Sequence, residues 1–288
     1  MKKAYLYAGI SIFLWGTLAT ATKLLLGSLG SMQVLAVSSF FAFGFLVVLN
    51  LVKGKLAVLK TYRWKDYLQI AGIGSLGTFF YNLLFNIGVS RMQASQAFII
   101  NYLWPVMTIF FACLILKEKL TARKIVAILC SFLGVVIVTT GGKLTAMDSG
   151  NLTGALCCVL AAVVYGLFSV LNKHKNYDAS VSMMLYYGVC LAASVLCLPF
   201  SGEFPALSLP QILGLTWIGI FANAIPYTTW ALAMAHGDTA KISNLAYITP
   251  FLSLVWTFLL LKEPFSLASV AGLLVIVIGI FIQVKEEK

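Results

Sequence analysis

Asn101-Tyr102-Leu103-Trp104-Pro105 is the densest group of ligand-capable side chains in this sequence. It sets an amide, a phenol and an indole beside a proline in an otherwise apolar stretch. Pro105 cannot donate a backbone hydrogen bond, and its ring crowds the carbonyl four residues earlier, on Asn101. Within lipid a carbonyl freed in this way must find another partner, so the break is expected to face protein or a wet cavity. Ala246-Tyr247-Ile248-Thr249-Pro250 repeats the pattern 145 residues on, with Tyr102 matching Tyr247 and Pro105 matching Pro250. Pro226 adds a third break, with Asn223 and Tyr227 beside it. The three prolines are candidate hinges. The symmetric pair favours substrate lining over kinked packing, which is the alternative.

Further polar aromatics gather at similar depth: Trp15, Tyr81, Tyr165 and Trp230. Aromatic belts at the membrane surface are the ordinary account of such residues, but Trp15 and Tyr165 lie too deep in their helices for it. With Asn101, Tyr102, Trp104, Tyr227 and Tyr247 they make the candidate substrate-binding set. Flat rings and a few amides suit an aromatic or amphipathic ligand, through stacking and hydrogen bonding of its substituents. Asn82, Asn86 and Asn244 could add polar contacts, although hydrogen bonding between helices explains any single asparagine equally well.

Lys23 and Lys173 occupy matching positions at the exits of two helices, 150 residues apart and on opposite membrane faces. They are either gate lysines, each binding carbonyls or a helix C-terminus when its side is closed, or lysines snorkelling to the headgroups. Lys241 is a third candidate gate residue, able to draw a substrate carboxylate from the cytoplasm; a solvated boundary lysine is the plainer account. All nine acidic residues fall at helix ends, in loops or in the tail. Proton relays and cationic-drug sites usually rely on a carboxylate within the membrane, so a proton-driven cation exporter is disfavoured. The two histidines, His174 and His236, have no Ser, Cys or carboxylate arrangement that makes a catalytic set. Six cysteines sit inside predicted helices without metal-type spacing and read as small apolar fillers. No catalytic residue, metal or cofactor is expected, and the chain does not read as an enzyme.

The elements that must position these residues are membrane helices. With 61% hydrophobic and 10% charged residues, and a mean hydropathy of +0.97, the chain is not an ordinary soluble domain. The apolar residues form ten blocks, near Tyr5–Leu26, Met32–Val52, Tyr67–Gly88, Ala94–Leu116, Ala122–Thr140, Leu152–Asn172, Ser180–Phe200, Leu209–Ala235, Ala240–Leu261 and Leu267–Val284. Each is close to the roughly 20 residues that cross a bilayer. The first reads as an uncleaved helix, not a signal peptide. A net charge of +11 could suggest nucleic acid, but its distribution argues for a membrane. With the N-terminus inside, sixteen of the 20 Lys and Arg residues face the cytoplasm; Lys23, Arg91, Lys143 and Lys262 face out. That split follows the positive-inside rule and puts both termini in the cytoplasm.

The chain also repeats itself. An offset of 145 carries Lys117-Glu118 onto Lys262-Glu263 and Gly134 onto Gly279; an offset of 150 carries Trp15-Gly16 onto Tyr165-Gly166. Residues 1–145 and 146–288 thus read as two five-helix repeats. An odd helix number inverts the second copy, and such inverted repeats meet at a midplane substrate site. The fifth and tenth helices carry Gly134, Gly272 and Gly279, which suit close helix packing or a homodimer face.

Two five-helix halves, Trp15-Gly16 with Lys23, and the paired prolines followed by Lys-Glu resemble the EamA branch of the drug/metabolite transporter superfamily. Asn101-Tyr102-Leu103-Trp104-Pro105, Asn172-Lys173 and His236-Gly237 before Tyr247-Ile248-Thr249-Pro250 are similar to the bacterial aromatic amino acid exporters. The resemblance implies ten helices, cytoplasmic termini, a central cavity and export from the cell. The leading expectation is an inner-membrane exporter of amino acids or related metabolites, aromatic ones included, by alternating access. An anion or sugar-phosphate exchanger using Lys23, Lys173 and Lys241 is the second reading. A membrane-embedded enzyme is the third and is disfavoured. The expected partners are a small-molecule substrate and the lipid bilayer.

Overall fold

The computed structural model describes residues 2–117, 119, 121–141, 149–175, 177–236, 242, 245–264 and 266–284. Among these residues the regular structure is helical, with no strand. Eight helices are long and apolar enough to span a membrane: α1 (Lys3–Leu26), α2 (Ser31–Val52), α3 (Trp64–Arg91), α4 (Ala94–Ile115), α5 (Ala122–Thr140), α6 (Asn151–Lys175), α7 (Ala179–Phe200) and α8 (Leu209–Ala233). Two shorter apolar helices complete the set, α9 (Thr249–Leu261) and α10 (Leu267–Gly279). The chain is therefore an all-α polytopic membrane protein of about ten helices, as the hydropathy blocks predict. The start of the ninth block, with Lys241 and Asn244, lies outside the described residues.

Polar caps set the helix ends at the membrane borders. The Asp178 carboxylate accepts from the backbone N–H of Ser180 and Val181, both at 3.0 Å, and starts α7. Gln33 accepts from Gly30 N at 2.8 Å at the start of α2, and Asp66 accepts from Arg63 N at 2.8 Å at that of α3. These bonds satisfy N–H groups that a helix start leaves unpaired. Two non-glycine residues take left-handed backbone, Lys117 (φ 56°) and Lys262 (φ 57°). They are the matched lysines that follow α4 and α9. A 3-10 helix, Lys55–Thr61, fills the connection between α2 and α3. The hydropathy pattern does not predict it; Leu56, Val58 and Leu59 fold back onto the cluster around Leu46 and Met184.

The packing repeats under exchange of the halves. Helix α1 packs on α8 and α9, as α6 packs on α3 and α4. Likewise α2 packs on α8, as α7 packs on α3, while α2–α7 and α5–α10 are pairs in themselves. The last pair rests on glycine. A Cβ on Gly134 would lie 2.6 Å from the Gly272 carbonyl oxygen, and one on Gly279 would lie 3.0 Å from that of Ala127. The glycines expected to suit close helix packing or a homodimer face thus pack within the chain, Gly134 against Gly272 and Gly279 against Ala127 and Cys130. The outward faces of α5 and α10 carry exposed Leu129, Leu133, Leu274 and Ile278.

Connections gather at the two ends. Lys55 Nζ meets Asp178 Oδ2 at 2.8 Å beyond the end of α2. At the other end Gln33 Nε2 donates to the Glu203 carbonyl at 2.8 Å, and Gln211 Nε2 donates to Ser28 Oγ at 2.9 Å.

Candidate functional site

The two proline breaks meet at the centre. The first part of α4 ends at Asn101, and the helix restarts at Trp104 with Pro105 in its first turn. In the ninth helix a 3-10 turn, Ala246–Ile248, precedes a restart at Thr249 with Pro250 in the first turn. Pro250 has no N–H for the Ala246 carbonyl. The Thr249 N–H bonds the Ala246 oxygen in the 3-10 turn instead, and the Tyr102 hydroxyl donates to the same oxygen across the two breaks. Pro226 follows a π-helical stretch, Trp217–Ala224, in α8, and Ser11 Oγ of α1 donates to the Pro226 carbonyl at 3.0 Å.

Two glycines bring the aromatic helices up to these breaks. A Cβ on Gly166 of α6 would lie 2.6 Å from Met107 Cβ and 2.7 Å from the Met107 carbonyl carbon. Its partner in α1, Gly16, faces Leu252 of α9, with a Cβ 3.0 Å from Leu252 Cγ. Each glycine follows a deep aromatic residue, Tyr165 or Trp15, and so sets that ring beside the restarted helix.

The result is a central cavity of about 280 Å³. Trp15, Tyr81, Asn101, Tyr102, Trp104, Tyr165, Tyr227 and Trp230 all line it. Of the predicted substrate-binding set only Tyr247 is missing, and its side chain lies outside the described residues. Trp15 meets Tyr227 edge-on at 5.7 Å and Trp230 at 5.4 Å. Tyr165 lies 4.6 Å from Tyr81 and meets Trp104 edge-on at 5.3 Å. The hydroxyls of Tyr165 and Tyr227 bond at 3.0 Å, and Asn101 Nδ2 donates to the Tyr81 hydroxyl at 3.0 Å. The described lining carries no charge. Past Asn172, Met183 and Tyr227 a second lobe of about 220 Å³ runs toward Lys53 and Lys55.

At the opposite end two charged side chains bond the backbone of neighbouring helices. Lys23 Nζ donates to the carbonyls of Val89 and Met92, at 2.8 and 2.7 Å, at the C-terminus of α3. Glu263 caps the start of α4, accepting from Ala94 N at 2.8 Å, Ser95 N at 3.1 Å and Ser95 Oγ at 2.7 Å. Lys173 is exposed at the end of α6. Lys241 and Glu118 lie outside the described residues.

Not every predicted polar group reaches the cavity. Asn82 Nδ2 donates to the Thr78 carbonyl of its own helix at 2.7 Å, and Asn86 Nδ2 to the Ser31 carbonyl at 3.3 Å. Conversely, Phe168, Ser169 and Asn172 line the cavity without having been singled out for it. They follow Tyr165 at i+3, i+4 and i+7, the spacing of one helix face, and that periodicity could have found them. A larger groove of about 510 Å³ lies between α1, α8 and α9, with Phe13, Leu24 and Leu260 on its walls. These three are exposed apolar side chains. Its lining is mostly apolar, with fewer polar groups than the central cavity.

The profile of the EamA-like transporter family matches residues 2–140 and 152–284. An uncharacterized transporter of Clostridium kluyveri is 29% identical over 299 residues, covering 100% of this chain and 95% of its own. The aromatic amino acid exporter YddG of Ancylobacter novellus is 26% identical, covering 93% of this chain and 91% of its own. A solved crystal structure at 24% identity superposes with a TM-score of 0.69, covering 98% of this chain and 96% of the other. This chain belongs to the EamA-like transporter family.

Proposed function

We propose that the protein exports amino acids or related small metabolites, aromatic ones among them, across a bacterial inner membrane by alternating access through the central cavity. The observation that carries this reading is the convergence of twelve aromatic and amide side chains on one cavity at two broken helices, with no charge among its described lining. Rings of this kind hold a flat solute, and amides and hydroxyls orient it. The similarity to an exporter of aromatic amino acids supports the same class.

The cavity belongs at the interface of two inverted repeats, residues 1–145 and 146–288. The mirrored packing, the mirrored proline breaks and the left-handed Lys117 and Lys262 support that arrangement. Both termini are assigned to the cytoplasm, from the excess of Lys and Arg on that side. The structure then corresponds to a cytoplasm-facing state, with Lys23 and Glu263 closing the outer end and the second lobe leading inward. Lys173 is the matching gate lysine, free of that role while its side is open.

The anion-exchanger reading is weaker for a specific reason. Lys23 spends its ammonium on two backbone carbonyls and does not line the cavity. Counterflow in proteoliposomes, with a panel of amino acids and organic phosphates, tests the assignment. Exchange of aromatic amino acids is expected, and exchange of phosphates alone would overturn it.

A further inference from the structure

Asn101 and Thr249 stand at the two helix breaks, each only 3% exposed. Asn101 Nδ2 is committed to Tyr81, which fixes the amide and leaves Oδ1 buried without a partner among the described residues. Thr249 Oγ1 is likewise buried and unpartnered among them. Other buried polar atoms also lack partners among the described residues, including Thr20 Oγ1 and Trp256 Nε1 at the groove between α1, α8 and α9. Only Asn101 and Thr249 of that group line the central cavity. A buried polar group left unpaired is costly, so these two atoms are placed to be completed by something that enters.

The chemistry around them is that of acceptors. Pro105 withholds the helical N–H from the Asn101 carbonyl, and Asn101 Oδ1 accepts only. Thr249 can accept as well as donate. The rings of Trp15, Tyr81, Trp104 and Tyr165 share the cavity, and aromatic faces attract cations. No described lining residue is cationic, so an anionic head finds no charged partner among the described lining. No described lining residue is a carboxylate either. A cation would be held by neutral acceptors and ring faces, firmly enough to orient it and loosely enough to release it.

We infer that Asn101 and Thr249 form an amine subsite, and that the solutes carried are amines or amino acids whose flat apolar body lies among the rings. This rests on the reading of the cavity as the solute chamber, and adds which group of the solute is recognised and by which residues. Counterflow with L-phenylalanine, phenethylamine and 3-phenylpropionate tests it. The first two are expected to exchange at least about tenfold faster than the third, the discrimination that one or two buried hydrogen bonds supply. Asn101→Leu and Thr249→Val should each shrink the rate ratio of phenethylamine to 3-phenylpropionate several-fold, whereas Asn101→Asp, which keeps an acceptor and can add a negative charge, should preserve or raise it. The ratio is the readout because a poorly folded variant lowers both rates together. Equal exchange of phenethylamine and 3-phenylpropionate by the unaltered protein would overturn the subsite and leave the carrier reading in place. Exchange of none of the three would overturn the subsite, and absence of counterflow across the whole amino acid panel would remove the carrier reading as well.

Discussion

Trp104 meets Tyr165 edge-on at 5.3 Å and Tyr102 at 6.2 Å, at the point where α4 restarts. Its place there follows from Pro105, which breaks the helix and turns the preceding residues toward the chamber. Trp104→Ala is expected to weaken transport more than expression. Loss of one aromatic contact of this kind is worth about 0.5–1.5 kcal/mol beyond area burial, or roughly two- to tenfold in apparent affinity. Half-saturation in counterflow, compared with the yield of monodisperse protein in detergent, checks it; a normal half-saturation would remove Trp104 from the site. At this scale the sequence was readable where a residue type was out of place. A tryptophan or tyrosine deep in an apolar helix, or a proline at mid-depth, signals itself. Phe168 and Met183 do not, because phenylalanine and methionine are unremarkable in a membrane helix and only the fold turns them inward.

Among the elements, the glycines control how closely the aromatic helices approach the broken ones. At Gly166 an added Cβ meets the Met107 backbone at 2.7 Å, whereas at Gly16 it meets the branched end of Leu252 at 3.0 Å. Backbone cannot yield as a side chain can. Gly166→Ala should therefore cost about 1–3 kcal/mol by overpacking, and Gly16→Ala less. Thermal unfolding in detergent would rank them, and equal losses would show that α6 shifts freely against α4. Helix ends give a second case. Glu263 bonds two N–H groups and a hydroxyl at the start of α4. Glu263→Gln keeps the shape but weakens a charge-assisted cap by about 1 kcal/mol. A cysteine placed at Leu18 should then react faster with a membrane-impermeant maleimide added from outside, and an unchanged rate would mean that Glu263 does not hold that end closed. Such capping contacts were not legible in the sequence. Glu263 and Ala94 lie far apart in the chain, and only the packing of α9 on α4 joins them.

Asp178 shows how an end contact outside the membrane should respond to pH. Burial alone would raise its pKa. The hydrogen bonds from Lys55 and the N–H groups of Val181 and Ser180, with the Lys55 charge, outweigh that and hold it below its usual value. A carboxyl depressed on folding adds stability that is present above its unfolded pKa and is lost as pH falls through the lower folded one. The Lys55–Asp178 contact should thus persist across the neutral range and fail only on strong acidification. The difference in melting temperature between the native protein and Asp178→Asn should stay constant near neutrality and narrow below the ordinary carboxylate range. A difference that instead vanished between pH 6 and 8, a span chosen about the histidine range, would mean another group controls that end.

Across the whole molecule, hydropathy blocks and the charge split made the helix count readable, because a bilayer fixes helix length and permits little else. The mutual packing of α5 and α10 was not, since glycines that face each other within a chain look the same in sequence as glycines facing a second copy. The placement of acidic groups bears on energy coupling. Asp66 and Asp178 cap helices, Glu203 lies in a connection, and Glu263 is bound to the start of α4. None of the described carboxylates lines the central cavity. A carrier driven by protons ordinarily needs a titratable group that the solute and the proton both reach, and the chamber offers none among its described residues. Net flux is therefore expected to follow the solute gradient, and counterflow to persist when a protonophore collapses the proton gradient. Glu263 makes the demanding control, because it is the carboxylate tied to the closed end. If concentrative uptake vanished with the protonophore, and Glu263→Gln abolished that coupling while leaving exchange intact, the solute would be moved by protons through the closure itself.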